Sequence, residues 1–164
     1  MKIMFVSLGC DKNLVDTEMM LGQLHSRGYE FTDDENEADA VVVNTCCFIH
    51  DAKQESVDTL LEMAELKKNG RCRFLIACGC LAQRYRQEII DEIPEVDAVV
   101  GTSAYDKIAD TLDELVNKQG DGINCFEDIN RLMTEGLSRP EDIMNILRLQ
   151  KAVTSAVHTA SSLK

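Results

Sequence analysis

The sequence predicts an α/β fold, a three-layer sandwich in which helices cover both faces of a mostly parallel β-sheet. Three observations carry that expectation. Short continuous apolar runs such as "KIMFVSL" and "ADAVVVNT" suit strands buried on both faces. Stretches with helical spacing of apolar residues alternate with those runs along the chain. The 164 residues, 45% apolar and 28% charged, suffice for one domain to bury a sizeable core.

In order, "KIMFVSL" is the first strand, and "NLVDTEMMLGQLHSRG" follows as a helix stopped by Gly28, a C-cap residue. "YEFT" reads as a short strand and "ADAVVVNT" as the strongest one. Val57, Leu60, Leu61 and Ala64 fall at i, i+3, i+4 and i+7, predicting one buried face of a helix that ends near Asn69-Gly70. "CRFLIA" is the next strand, "AQRYRQEIIDEI" a helix stopped by Pro94, and "VDAVVGT" a short strand. Ile108, Leu112, Leu115 and Val116 space a fourth helix that ends at "NKQGDG". This alternation predicts a flavodoxin-like or Rossmann-like layout. Beyond it, "QGDGINCFEDINR" reads as a linker.

Charge and composition exclude some functions. The net charge is −12, from 17 basic and 29 acidic residues, and an acidic surface repels phosphate backbones. Direct nucleic-acid binding by this domain is therefore not expected. No run approaches the ~20 apolar residues of a membrane span. The first residues show one lysine and a strand-like run, not a secretion signal. The expected location is cytoplasmic.

The chain carries seven cysteines, Cys10, Cys46, Cys47, Cys72, Cys78, Cys80 and Cys125. An odd number without a secretion signal argues against a disulfide framework and leaves buried thiols, metal ligands or redox groups. One such cysteine alone is ordinarily a small buried hydrophobe, and Cys72 and Cys125 are read so. Three predicted strands, however, end in cysteine: at Cys10, at Cys46-Cys47 and at Cys78-x-Cys80. Ligands of open parallel sheets bind outside the carboxyl ends of the strands. The three stops therefore converge on one rim, a place for a thiophilic metal or an iron–sulfur cluster. His25 and His50 read as surface or loop residues.

The blocks "VSLGCDKNLVDTE", "VVNTCCFIHDAKQES" and "ACGCLAQRY" resemble the N-terminal domain of the radical-SAM methylthiotransferases. The "KNLVD" after the first cysteine is similar to the RimO-type branch, which modifies a small-subunit ribosomal protein, more than to the tRNA-modifying branches. The resemblance implies a [4Fe-4S] cluster held by Cys10, Cys46 and Cys80, with one iron open for a sulfur species. It places Gly9, Asn13, Asn44, Asp16 and Gly79 in the matched motifs. Gly9 and Gly79 are expected to let the backbone turn tightly near the cluster. Asn13, Asn44 and Asp16 either line the cluster rim or make helix-start and loop hydrogen bonds. In the full-length enzymes a second [4Fe-4S] cluster and S-adenosylmethionine are bound through Cys-x3-Cys-x2-Cys, and the product is a β-methylthio-aspartate.

The chain departs from that pattern. Cys47 stands where the family often has glycine, so it competes with Cys46, as Cys78 does with Cys80. No Cys-x3-Cys-x2-Cys is present, so this chain alone is expected to be inactive. The expected organisation is an iron–sulfur domain at 1–118, a linker at 119–136 towards an absent radical-SAM domain, and a tail at 137–164. That tail has no Gly, Cys or aromatic residue and holds four Lys/Arg against two Asp/Glu. Synonymous codons for Ala152 to Ala160 can be chosen that read C-D-K-R-C-T-Y-C in a neighbouring frame, so the tail is expected to be out of frame. Two other readings of the rim stay open: a flavodoxin-like small-molecule binding module, and a thiol-redox or zinc protein.

Overall fold

The computed structural model describes residues 1–48, 50–118 and 123–125. The chain runs β1 (Lys2–Ser7), α1 (Asp11–Ser26), β2 (Glu30–Phe31), β3 (Ala40–Thr45), α2 (His50–Asn69) and β4 (Phe74–Gly79). It continues with α3 (Cys80–Arg84), α4 (Arg86–Glu92), β5 (Ala98–Val100), a 3-10 turn (Tyr105–Lys107), α5 (Ile108–Lys118) and β6 (Ile123–Cys125). The six strands form one sheet in the order β2-β1-β3-β4-β5-β6, with every pairing parallel. This is the flavodoxin-like order, whose direction of winding reverses between β1 and β3.

Strand parity divides the apolar residues into two cores. Ile3, Phe5, Val42 and Ile76 face α1 and α5, where they meet Met20, Leu24, Ile108, Leu112 and Leu115. Met4, Val6, Val41, Val43 and Leu75 face the other way, onto Leu60 and Met63 of α2, Leu81 of α3 and Ile89 of α4. A fully buried Leu or Ile contributes about 1.5–3 kcal/mol. An exposed ion pair such as Lys2–Glu37 is screened by water and adds little. The two apolar faces therefore hold the sandwich together. No described helix is long and apolar enough to cross a membrane.

Several details differ from the expectation. Helix α2 is rotated about its axis, so it buries Ser56, Leu60, Met63 and Ala64 and leaves Leu61 47% exposed. The helix expected over "AQRYRQEIIDEI" is two, broken at Tyr85, whose φ of −119° and ψ of 37° leave the helical region. Val116 sits at the margin of the α5 face, 38% exposed. The sheet also runs past residue 118: β6 pairs with β5 inside the stretch read as a linker. Three residues in a polar segment are too few for a strand pattern to register. The segment 126–164, which includes the tail, lies outside the described residues.

Candidate functional site

Strands β1, β3 and β4 are neighbours in the sheet, and a cysteine follows each at the same edge. Cys10 is the N-cap of α1, Cys46 follows the last residue of β3, and Cys80 opens α3. Parallel strands lie about 4.8 Å apart, so the three stems fan over two strand spacings, roughly 10 Å. Cys10 is exposed, Cys46 is buried and Cys80 is partly buried.

The other thiols separate from these. Cys78 is still within β4 and completely buried, its Sγ 3.9 Å from Met20 Sδ and 3.5 Å from the Val43 carbonyl. It belongs to the core against α1, away from the rim where Cys80 opens α3. Cys72 is buried ahead of β4, its thiol 3.3 Å from the Phe74 carbonyl. Cys47 is half-buried and packs on the α2-side core. Cys125 lies in β6, described by its backbone alone.

Local fields treat the thiols differently. The amides of Asn13, foremost, and of Lys12 in the first turn of α1 hold the Cys10 thiol below its ordinary value. Burial pushes the Cys80 thiol up, and its neighbours Cys47, Cys46 and Cys10 add to this against the opposing charge of Lys12. Lys12 pairs with Asp16 at 2.8 Å on the surface of α1. Burial, with a smaller push from the Asp16 carboxylate, raises Cys78 far above the thiol range.

Each residue of the Asn-Thr-Cys segment at the end of β3 is anchored to a different element. Asn44 Nδ2 donates to the Asn13 carbonyl at 2.9 Å and to Thr17 Oγ1 at 3.0 Å, both on α1. The Thr45 hydroxyl donates to the Cys78 carbonyl at 2.5 Å and accepts from the Ala82 amide at 3.3 Å. Cys46 is held by Ser56 of α2: Ser56 Oγ accepts from the Cys46 amide at 2.9 Å and donates to the Cys46 carbonyl at 2.9 Å. Asn13 closes the arrangement, its Nδ2 donating to the Leu8 carbonyl at 2.7 Å and the Thr45 carbonyl at 3.1 Å. One carboxamide thus bridges the loops that carry Cys10 and Cys46.

Asn13 and Asn44 are fully buried and brace the backbone, while the Oδ1 of each has no partner among the described residues. The two glycines are close-approach positions. At Gly9, φ is +93° and an added Cβ would lie 2.6 Å from Cys46 Sγ. At Gly79, φ is +96° and a Cβ would lie 2.2 Å from the Thr45 carbonyl oxygen. Asp16 makes its surface ion pair, and His25 and His50 are exposed on α1 and at the start of α2. Sequence reasoning missed Thr45 and Ser56. The first stood in the motif unremarked, and the second lies one helical turn before Leu60 on the buried face.

The donor chemistry discriminates among metal groups. Among the described residues no three or more His, Cys, Asp or Glu side chains are arranged to hold one metal ion. A tetrahedral zinc site needs its ligands gathered on a single centre. Iron–sulfur clusters attach their thiolates to different irons. Three cysteines at adjacent strand ends, with Cys46 Sγ packed against Gly9, offer the all-thiolate donor set that a cluster takes.

The family model described as uncharacterized protein family UPF0004 matches residues 2–101. A ribosomal protein uS12 methylthiotransferase RimO of Lachnoclostridium phytofermentans is 58% identical over 132 residues, covering 80% of this chain and 30% of the relative. Proteins of the same name from Geobacter sulfurreducens and Acetivibrio thermocellus are 51% and 56% identical, over 84% and 73% of this chain. The chain spans 31% and 26% of those two relatives.

Proposed function

The chain belongs to the UPF0004 family, and from that membership we propose that it is the auxiliary cluster domain of a RimO-type methylthiotransferase, an enzyme that methylthiolates an aspartate of a small-subunit ribosomal protein in the cytoplasm. The observation that carries the reading is the alignment of Cys10, Cys46 and Cys80 at three adjacent strand ends. The names of the relatives, all methylthiotransferases acting on uS12, support the substrate class.

In this reading Cys10, Cys46 and Cys80 hold a [4Fe-4S] cluster. When bound, the cluster supplies one iron without a protein ligand, open to an exogenous sulfur species. The chain's own residues prepare the thiolates. The first-turn amides of α1 favour deprotonated Cys10, Ser56 fixes the Cys46 backbone, and Gly79 turns the chain so that Cys80 opens α3 at the rim. S-adenosylmethionine and the second cluster belong, in this proposal, to the part of the enzyme beyond this domain.

Anaerobic reconstitution with iron and sulfide tests it. The parent chain should turn brown and bind about four irons, as one such cluster requires. Alanine at Cys10, Cys46 or Cys80 should each abolish this, whereas Cys72→Ala and Cys125→Ala should not. Full iron content in any of the first three variants would sink the ligand assignment. Stoichiometric zinc in place of iron would favour the zinc reading.

A further inference from the structure

We propose that Ser56 is the positioning residue for Cys46, a device that holds this thiol in ligand geometry before any cluster arrives. The inference rests on the cluster reading above and extends it to Ser56, the last residue of the second cysteine block and not one of its thiols.

Cys46 meets Gly9 on its sulfur side and Ser56 on its backbone side. Gly9 leaves the space its sulfur occupies, since a Cβ there would lie 2.4 Å from Cys46 Cβ and 2.6 Å from Sγ. On the other side a single hydroxyl engages both polar groups of the Cys46 main chain, at 2.9 Å each. Ser56 is fully buried, so no water replaces it. Without that hydroxyl, an amide and a carbonyl just past the end of β3 lose their partner together, and the residue bearing the thiol is free to rotate. Cys46 sits where the strand has ended, beyond the last ladder pair of β3 with β4, Thr45 with Gly79. Neither sheet register nor helix geometry fixes it. The face of α2 that carries Ser56 inward also buries Leu60, Met63 and Ala64 and leaves Leu61 outward.

The test uses the full chain and two readouts. In the cluster-free protein, alkylation by iodoacetamide is followed residue by residue by mass spectrometry. Cys46 should react slowly in the parent, and about tenfold faster in Ser56→Ala, the fold-change for losing hydrogen bonds worth about 1.4 kcal/mol. Cys72 and Cys78 should stay protected in both. In the reconstituted protein, release of iron to a ferrous chelator should accelerate by a similar factor, and the electron paramagnetic resonance spectrum of the reduced cluster should shift. Ser56→Thr, which keeps the hydroxyl, should restore both.

Leu60→Ala, one turn along the same helix, controls for loosened packing of α2. It should lower the melting temperature at least as much without raising Cys46 alkylation. Equal Cys46 reactivity in the parent and Ser56→Ala, or an increase in Leu60→Ala as large as in Ser56→Ala, overturns the proposal. If Ser56→Thr fails to fold, the comparison of Ser56→Ala with Leu60→Ala still decides. Failure of the parent to take up a cluster counts against the proposed function alone, because the alkylation arm needs no iron.

Discussion

Replacing Gly79 by alanine should be among the most damaging single-atom additions this domain can receive. Gly79 has φ 96° and ψ −166°, a region closed to residues with a Cβ. Strain there is worth about 1–3 kcal/mol. The added carbon would also lie 2.2 Å from the Thr45 carbonyl oxygen, 2.5 Å from Asn44 Oδ1 and 2.8 Å from the Thr45 nitrogen. Two of these atoms are backbone of the strand with which Gly79 is in register, so they have nowhere to move. Overpacking of that kind adds about 1–3 kcal/mol, for a total of roughly 2–6 kcal/mol. Gly28 separates the two terms: it has φ +83° but open space around it, so Gly28→Ala meets strain alone, about 1–2 kcal/mol. With a urea slope of about 2 kcal/mol per molar, the unfolding midpoint should fall by about 0.5–1 M for Gly28→Ala and about 1–3 M for Gly79→Ala. Equal shifts in the two variants would refute the claim that contact with β3, rather than backbone conformation, fixes glycine before Cys80.

Asp39 accepts from the Lys2 amide at 2.8 Å and from Arg71 Nε at 2.8 Å, and these hold its carboxyl below the usual value, the amide first. A depressed carboxylate stabilises the fold above its unfolded pKa and loses that contribution as pH falls through the folded one. Asp39→Asn should therefore lower stability by about 1–2 kcal/mol near pH 7 and flatten its decline at acid pH, and an unchanged acid limb in urea titrations would contradict this. The reconstituted chain, given reductant, S-adenosylmethionine and small-subunit ribosomal protein, should yield no methylthio-aspartate by mass spectrometry, because no Cys-x3-Cys-x2-Cys is present. The reading of 137–164 as out of frame is checked by the nucleotide sequence from codon 137 onward, and it fails if no neighbouring frame encodes that triad.

The strands were legible because their apolar runs are unbroken, and parity within them correctly assigns Val41 and Val42 to opposite faces. The three cysteine stops were legible for the same reason, since a parallel sheet puts all its carboxyl ends on one side. What sequence could not show is how far each strand runs. Cys78 and Cys80 look alike in "ACGC", and only the turn at Gly79 sends one into the core and the other to the rim. Apolar counting misplaced the face of α2 because it credits Leu61 and ignores Ser56. A serine is worth burying only when a backbone partner waits for it, and that partner lies ten residues away across a loop. The break at Tyr85 carries no proline or glycine to announce it.

The side-chain hydrogen bonds at residues 44–46 run to Asn13, Thr17, Ser56, Cys78 and Ala82. None comes from β5, α5 or β6. A chain is synthesised from its amino end, so all of these anchors have left the ribosome once Ala82 has emerged from the exit tunnel. The later strands close the sheet, and beyond β5 the Thr102 amide ties Gln83 of α3 in place. In the proposed function, every residue named at the cluster site lies at or before Ala82, so its parts are all synthesised ahead of β5, α5 and β6.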